Sequence, residues 1–307
     1  MITLRQLEIF LAVARVEHVT AAAAAVHLSQ SAVSAALGEP AERLGGPLFD
    51  RAGRRLVLND RGRRLQAEAA DLLQRARDLM HHFLATDVIA GRLRVGASST
   101  IGMYLLPEQI AAFVTAEPDV TIDLEVGNTE AIEAKVVARD LDLGFIEGPP
   151  RDPHVAATSF RDDELCVFVA ATHPLARRRR LALAALQHER WILREPGSGT
   201  RAVFEAALRQ LDVPLPVGLQ LGHTEAVKEG VRAGLGIGCL STLAVRRELA
   251  SGLFKALRVP GLDLRRRLWC ITRQGSYANA AQRAFLGHLK AMTPAAGGAG
   301  RPPRQLK

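Results

Sequence analysis

The 307-residue chain lacks most of the features that would assign a function at a glance. It has three cysteines, Cys166, Cys239 and Cys270, widely spaced and in apolar contexts, which read as core thiols rather than a disulfide framework or a metal site. No apolar run approaches the roughly 18 residues of a membrane helix, and the amino-terminal residues have an amphipathic pattern rather than a signal-peptide pattern. A cytoplasmic protein without a membrane partner is therefore expected. Common enzyme motifs are missing too. The glycines of GLGIG at 234–238 have the wrong spacing for a dinucleotide fingerprint, and Gly197-Ser198-Gly199 is not a nucleophile elbow. Neither GxxxxGK[ST] nor HExxH occurs, and no ordered Ser, His and Asp set stands out. No catalytic residue, metal ligand or cofactor is assigned; an enzyme with an unrecognised site is the alternative. The adjacent His81 and His82 diverge by about 100 degrees on a helix and read as a surface pair.

What the chain does have is hydrophobic content of 48%, enough for a sizeable core over two or three domains, and a formal charge of +8. That charge favours an anionic partner, and its placement says more than its total. Residues 19–38, VTAAAAAVHLSQSAVSAALG, read as two short helices about a tight turn. Thr20 is the expected N-cap of the first, and Ser29 or Gln30 starts the second. Val33 and Leu37 then face inward, leaving Gln30, Ser31 and Ser34 as a short, polar, neutral outer face. Small side chains allow close approach to a major groove, and amides and hydroxyls bond to base edges and phosphates. An ordinary helical hairpin is the competing reading. The next stretch favours DNA: between Arg51 and Arg64 stand six arginines, at 51, 54, 55, 61, 63 and 64, against one acid, Asp60. Arg51 to Leu58 reads as a hairpin turning at Gly53, able to lay arginines along a phosphate backbone.

Residues 3–62 resemble the winged helix-turn-helix of LysR-type transcriptional regulators. The similarity lies in TLRQLEIFLAVA at 3–14, the alanine-rich helix, LSQSAVS at 28–34, RLGGPLFDR at 43–51 and RRLVLNDRG at 54–62. It implies a double-stranded DNA partner, with reading roles at Thr20, Gln30, Ser31 and Ser34 and at the wing residues Arg51, Arg54 and Arg55. Pro40 departs from the family pattern. A mid-helix proline costs roughly 3 kcal/mol, so with Gly38 nearby the recognition helix is expected to kink or end near residue 38. Ala35 and Ala36 stand where longer polar side chains are common, which shifts weight from base contacts to operator shape.

The expected organisation is a winged helix-turn-helix over 1–60, a linker helix over 59–88 capped by Asn59, an effector-binding α/β domain over 91–293, and a disordered Gly/Pro-rich tail over 294–307. In the linker, Leu65, Ala69, Leu72, Ala76, Leu79 and Phe83 alternate spacings of four and three, a heptad seam that calls for a partner helix or for the chain's own next domain. The resemblance favours a homodimer and suggests a homotetramer.

Beyond Gly91, strands at 93–97, 121–126 and 141–147 alternate with helices at 101–116 and 130–139. A second set has strands at 165–171, 191–194, 217–221 and 236–240 and helices at 201–211, 225–234 and 242–250. A last strand over 266–272 and a last helix over 279–292 return to the first set. Lobe 1 is thus expected over 91–163 and 266–293, and lobe 2 over 164–265, as parallel sheets flanked by helices. This half resembles the effector domain of LysR-type regulators, which looks like a periplasmic solute-binding protein. The arginine run 177–180 reads as a solvated loop.

Four strand-to-helix junctions carry short polar residues: Ser98-Ser99-Thr100, Asn128-Thr129, Gly197-Ser198-Gly199-Thr200 and His223-Thr224. Each alone reads as simple capping; all four together suggest an anion site between the lobes, supplied with charge by Arg194 and Arg201. Glu147 is awkward beside an anion, and either orients an arginine or accepts a proton from a ligand hydroxyl. ASSTIG at 97–102, GNTEAI at 127–132 and REPGSGTR at 194–201 resemble the branch associated with sulfur assimilation and other small-anion sensing. A sulfite-like or sulfate-like effector is expected, with a small carboxylate second.

Overall fold

Thr3 and Gln6 cap each other at the start of α1 (Leu4–Val16), whose buried Leu7, Ile9, Phe10 and Val13 seed the amino-terminal core. The computed structural model describes residues 1–53, 55–83, 89–178, 180–213 and 217–292. They form two units, Met1–Val88 with Gly275–Ala280 and Ile89–Gln274 with Ala281–Lys307.

In the first unit, α2 (Val19–Ala25) is capped by the extended backbone of His18, without a side-chain bond. Thr20 is thus not the N-cap. The chain enters helical geometry earlier, since the His18 carbonyl already receives the Ala22 amide at 2.9 Å. Ser29 caps α3 (Gln30–Arg43) through the Ala32 amide at 3.2 Å. Contrary to expectation, α3 does not end at residue 38. Pro40 sits inside it and is buried, while Glu39 receives Arg43 at 2.7 Å and Gln6 at 2.5 Å, so packing and side-chain bonds offset the missing amide. The wing is the antiparallel pair β1 (Phe49–Ala52) and β2 (Arg55–Leu58), turning through Gly53 at φ +64°.

The long helix α4 (Asp60–Phe83) starts where Asn59 receives the Gly62 amide at 2.9 Å and donates to the Pro47 carbonyl at 2.9 Å. Its apolar seam is divided. Leu65, Ala69 and Leu73 pack with Leu7, Phe10 and Leu48, whereas Leu72 and Leu79 are 50% and 58% exposed. The first turns therefore serve the unit's own core, and only the later positions are open to another surface. The Phe83, His81 and His82 side chains and residues 84–88 lie outside the described residues.

The second unit begins with β3 (Gly91–Ser98), followed by α5 (Ser99–Tyr104), α6 (Leu106–Ala116), β4 (Val120–Gly127), α7 (Thr129–Val137) and β5 (Leu143–Glu147). The helix expected over 101–116 is two helices, broken at Leu105 with Pro107 in the first turn of the second. Then β6 (Val155–Ala170), far longer than the expected 165–171, runs from one sheet into the next. The rest is β7 (Trp191–Arg194), α8 (Gly199–Gln210), β8 (Val217–Leu221), α9 (Thr224–Arg232), β9 (Ile237–Ser241), α10 (Thr242–Ala250), β10 (Phe254–Leu257), β11 (Arg265–Arg273) and α11 (Ala280–Met292).

The strand order is β4-β3-β5-β11-β6-β9-β7-β8, with β10 paired to β6. The sheets are mixed rather than parallel. β3 is parallel to β4 and β5, and β7 to β8 and β9, but β11 runs antiparallel to both β5 and β6, and β6 antiparallel to β9 and β10. Two strands thus carry the chain between lobes. Each lobe has its own core, around Phe113, Phe145 and Phe285 in the first and Trp191, Phe204 and Leu208 in the second.

Candidate functional site

On α3, Val33 is fully buried, while Gln30, Ser31, Ser34 and Ala35 are exposed. The inner residue holds the helix to the core and the small outer residues stay in water, the arrangement a groove-entering helix needs. Gln30 is steadied by the Thr20 hydroxyl at 3.4 Å, and the Ser31 and Ser29 hydroxyls lie 3.0 Å apart. Thr20 is exposed beside this face although it caps nothing. At the wing, Arg51 and Arg55 are exposed, and Arg54 lies outside the described residues.

In the second unit, strand register builds the site. Alternation along β11 sets Arg266, Leu268 and Cys270 on the buried face, continuing from Leu264 just before it, so the middle arginine of Arg265-Arg266-Arg267 turns inward. Arg266 lies opposite Asp163 of β6, and Leu268, two residues on, lies opposite Glu147 at the end of β5. The guanidinium consequently meets both carboxylates: Nε donates to Asp163 at 2.7 Å and Nη1 to Glu147 Oε2 at 2.9 Å. Nη1 and Nη2 also reach the Thr200 and Thr100 hydroxyls at 3.1 and 3.3 Å.

Glu147 gathers donors from both lobes. Its Oε1 receives the Ser98 hydroxyl at 3.0 Å and the Thr100 amide at 3.1 Å, and its Oε2 receives the Thr200 hydroxyl at 2.7 Å. Burial alone would raise its pKa, but the Arg266 charge and the Thr200 and Thr100 bonds outweigh burial and hold it at about 2. Thr129 accepts the Glu147 amide at 3.4 Å, and Ser99 donates to the Gly127 carbonyl at 3.3 Å.

A second cross-lobe set adjoins it. The Glu130 amide donates to the Gly197 carbonyl at 3.2 Å, and Gly197 takes φ +85°, where a side chain would be strained. Asn128 caps α7 at the Ala131 amide (2.9 Å) and its side chain also bonds to Glu195. Arg194 is bidentate to Glu195 at 2.7 and 2.8 Å and donates to the buried Thr224 hydroxyl at 2.9 Å. Ser198 caps α8 through the Arg201 amide at 3.5 Å. Tyr104 of α5 donates to Glu225 of α9, a further tie between lobes.

The structure therefore brings together Ser98, Thr100 and Thr200 around the Glu147 carboxylate, with Thr129 on the Glu147 backbone amide and Ser99, Asn128, Arg194, Gly197, Ser198, Gly199 and Thr224 beside it. His223 does not join them. It is exposed, and its ring accepts the Glu225 amide at 3.3 Å as a plain helix cap. Nor are Arg194 and Arg201 free charges, because Glu195 and Glu205 hold them. Sequence reasoning missed Arg266 and Asp163. The signal was present: both interrupt an alternating apolar strand face, Asp163 ahead of Leu165, Val167 and Val169, and Arg266 between Leu264 and Leu268.

Two family profiles match the chain, the bacterial regulatory helix-turn-helix protein of the lysR family over residues 4–63 and the LysR substrate binding domain over 86–294. The chain is 41% identical over 287 residues to a protein of Escherichia coli (strain K12) named uncharacterized HTH-type transcriptional regulator YeiE, covering 94% of this chain and 97% of the other. Its backbone is similar to that of a cysteine-substituted full-length OxyR from Pseudomonas aeruginosa, with TM-score 0.77 and 22% identity over 94% of this chain and 95% of that one. The regulatory domain of Synechocystis PCC6803 CcmR, solved in complex with 2-PG, matches with TM-score 0.63 and 30% identity over 67% of this chain and 99% of that one. With an exposed polar helix face and a basic hairpin in the first unit, a two-lobed α/β domain in the second, and a family profile matching each, the chain belongs to the LysR family of DNA-binding transcriptional regulators with an effector-binding domain.

Proposed function

We propose that this regulator reads its operator through Gln30, Ser31 and Ser34 with Thr20 beside them, anchors on phosphates through Arg51, Arg54 and Arg55, and responds to a small anion bound between its lobes. The observation that carries the reading is the exposed polar face of α3, set against a fully buried Val33 and flanked by exposed wing arginines. Two such heads are joined as a dimer along α4, where Leu72 and Leu79 are uncovered, and dimers pair into a tetramer. The protein works in the cytoplasm; among the described residues no helix is long and apolar enough to cross a membrane.

The effector is a sulfite-like or sulfate-like oxyanion, or a small carboxylate, held by hydroxyls and amides converging from both lobes. Binding rather than catalysis suits this site. The Glu147 carboxylate, ionised and bonded from both lobes, is a poor general base at neutral pH. Effector binding shifts the closure of the lobes and with it the packing of dimers and the spacing of the heads, which requires the ligand to favour one assembly over another. A mobility-shift assay with a fragment upstream of the neighbouring gene, at modest ionic strength and with unrelated duplex as competitor, should retain a complex. Absence of a retained complex would end the DNA reading, and calorimetry on the full chain showing no heat with sulfite, sulfate or small carboxylates would end the effector reading.

A further inference from the structure

The arginines gathered at the centre of the cleft are already taken. Arg194 is committed to Glu195, Arg201 to Glu205, and Arg266 to both Glu147 and Asp163. The converging donors are equally committed. Ser98, the Thr100 amide, Thr200 and Arg266 all donate to the Glu147 carboxylate, two to each oxygen. The Glu147, Asp163 and Arg266 side chains are only 1–2% exposed, so two carboxylates and one guanidinium leave a net negative charge shut away from water. An added anion would be repelled there, more strongly than in solvent.

We infer that Glu147 is a resident competitor, whose carboxylate fills the seat of the effector anion in the free protein, so that the effector binds by exchange. This rests on the small-anion reading of the same cleft. A carboxylate presents two oxygens to four donors from β3, α5, α8 and β11, a set that suits any small oxyanion with two accepting oxygens. The ligand must therefore outcompete a tethered group, whose effective concentration is high. Glu147 sets the concentration at which the regulator responds and excludes neutral ligands that cannot replace a charge beside Arg266. Asp163 keeps Arg266 in place through the exchange, and Ser241 holds Asp163 in turn at 2.8 Å.

Removing the tethered carboxylate should leave a seat for a free one. Thermal unfolding of full-length wild type and Glu147→Ala is followed in sodium formate, sodium acetate and, at equal ionic strength, sodium chloride. The variant should melt lower than wild type in chloride and recover saturably in formate or acetate, while wild type gains nothing beyond the chloride control. A folded variant that formate and acetate stabilise no more than chloride does, or a wild type that responds as the variant does, overturns the inference. Should Glu147→Ala not fold, Glu147→Gln, nearly isosteric and neutral, decides it by calorimetry with sulfite: a gain in affinity of about tenfold or more supports exchange, and an equal or weaker affinity overturns it. The two readings fail separately. Wild type that ignores every anion tested while Glu147→Ala takes formate removes the effector reading alone; wild type that binds sulfite while neither variant behaves as stated removes the resident competitor alone.

Discussion

At the scale of single residues, the cleft is governed by one arginine between two carboxylates. Glu147 was legible from the sequence as a charge out of place, since FIEG closes a buried strand, but its partner was not: Arg266 lies 119 residues away and Asp163 a further strand over. The depressed Glu147 pKa has a consequence for stability, with the sign set by linkage. A carboxyl at about 2 in the folded chain, against an ordinary 4.5, contributes stability that is complete above pH 4.5 and is lost as pH falls through 2. The contribution is on the order of 3 kcal/mol. Urea midpoints measured from pH 6 down to pH 2 should fall more steeply for wild type than for Glu147→Gln; parallel curves would mean that the carboxylate is not held as described.

At the scale of elements, what was read correctly is what local chemistry dictates, and what was misread depended on neighbours. Ser29, Asn59, Asn128 and Ser198 each cap the helix that follows, because a side-chain oxygen reaches an amide two or three residues away whatever the rest of the chain does. The first half of β6 carried no comparable signal. VAATSFRD is largely exposed and only half apolar, and it is a strand because β11 pairs with it from Val155 onward. The α3 helix shows the opposite error, since a proline that would end an isolated helix is tolerated where its ring is buried. The wing offers a direct test of element function. Arg51 and Arg55 are exposed on the two strands of the hairpin. If each neutralises one phosphate, Arg51→Ala with Arg55→Ala should lower the slope of log affinity against log salt by roughly 2, about 0.9 per contact, on specific and unrelated duplex alike. An unchanged slope would remove the wing from the phosphate backbone.

At the scale of the whole molecule, the effector domain is two sheets joined through β6, with β11 paired along its first half, and the site exists only where the lobes meet. The approach there is close. A Cβ on Gly199 would lie 2.3 Å from the Glu147 carbonyl and 2.6 Å from the Thr129 hydroxyl, closer than packed atoms permit. Gly199→Ala should therefore hold the lobes apart without disturbing either core. The Glu130 amide, bonded across the cleft to the Gly197 carbonyl at 3.2 Å, reports on this. Its hydrogen exchange should accelerate in the variant, by about tenfold or more, while amides of β7 and β3 keep their protection. Equal exchange at Glu130 in both proteins would show that the lobes do not need this glycine to meet.

The sequence by itself determined the modules: a capped, small-faced helix pair with a basic hairpin, a long amphipathic helix, and strands alternating with helices. These follow from spacing, caps and turn residues within a few positions of each other, where one chain segment is enough to satisfy the backbone and choose the buried face. Tertiary structure alone decided how the site is wired. Glu147 meets Arg266, and Arg266 meets Asp163, because strand register joins residues more than a hundred positions apart, whereas Arg194, Arg201 and His223 are engaged by Glu195, Glu205 and the Glu225 amide within four residues along the chain. Electrostatic pairing acts through space, so its partners are set by the fold rather than by their distance along the chain.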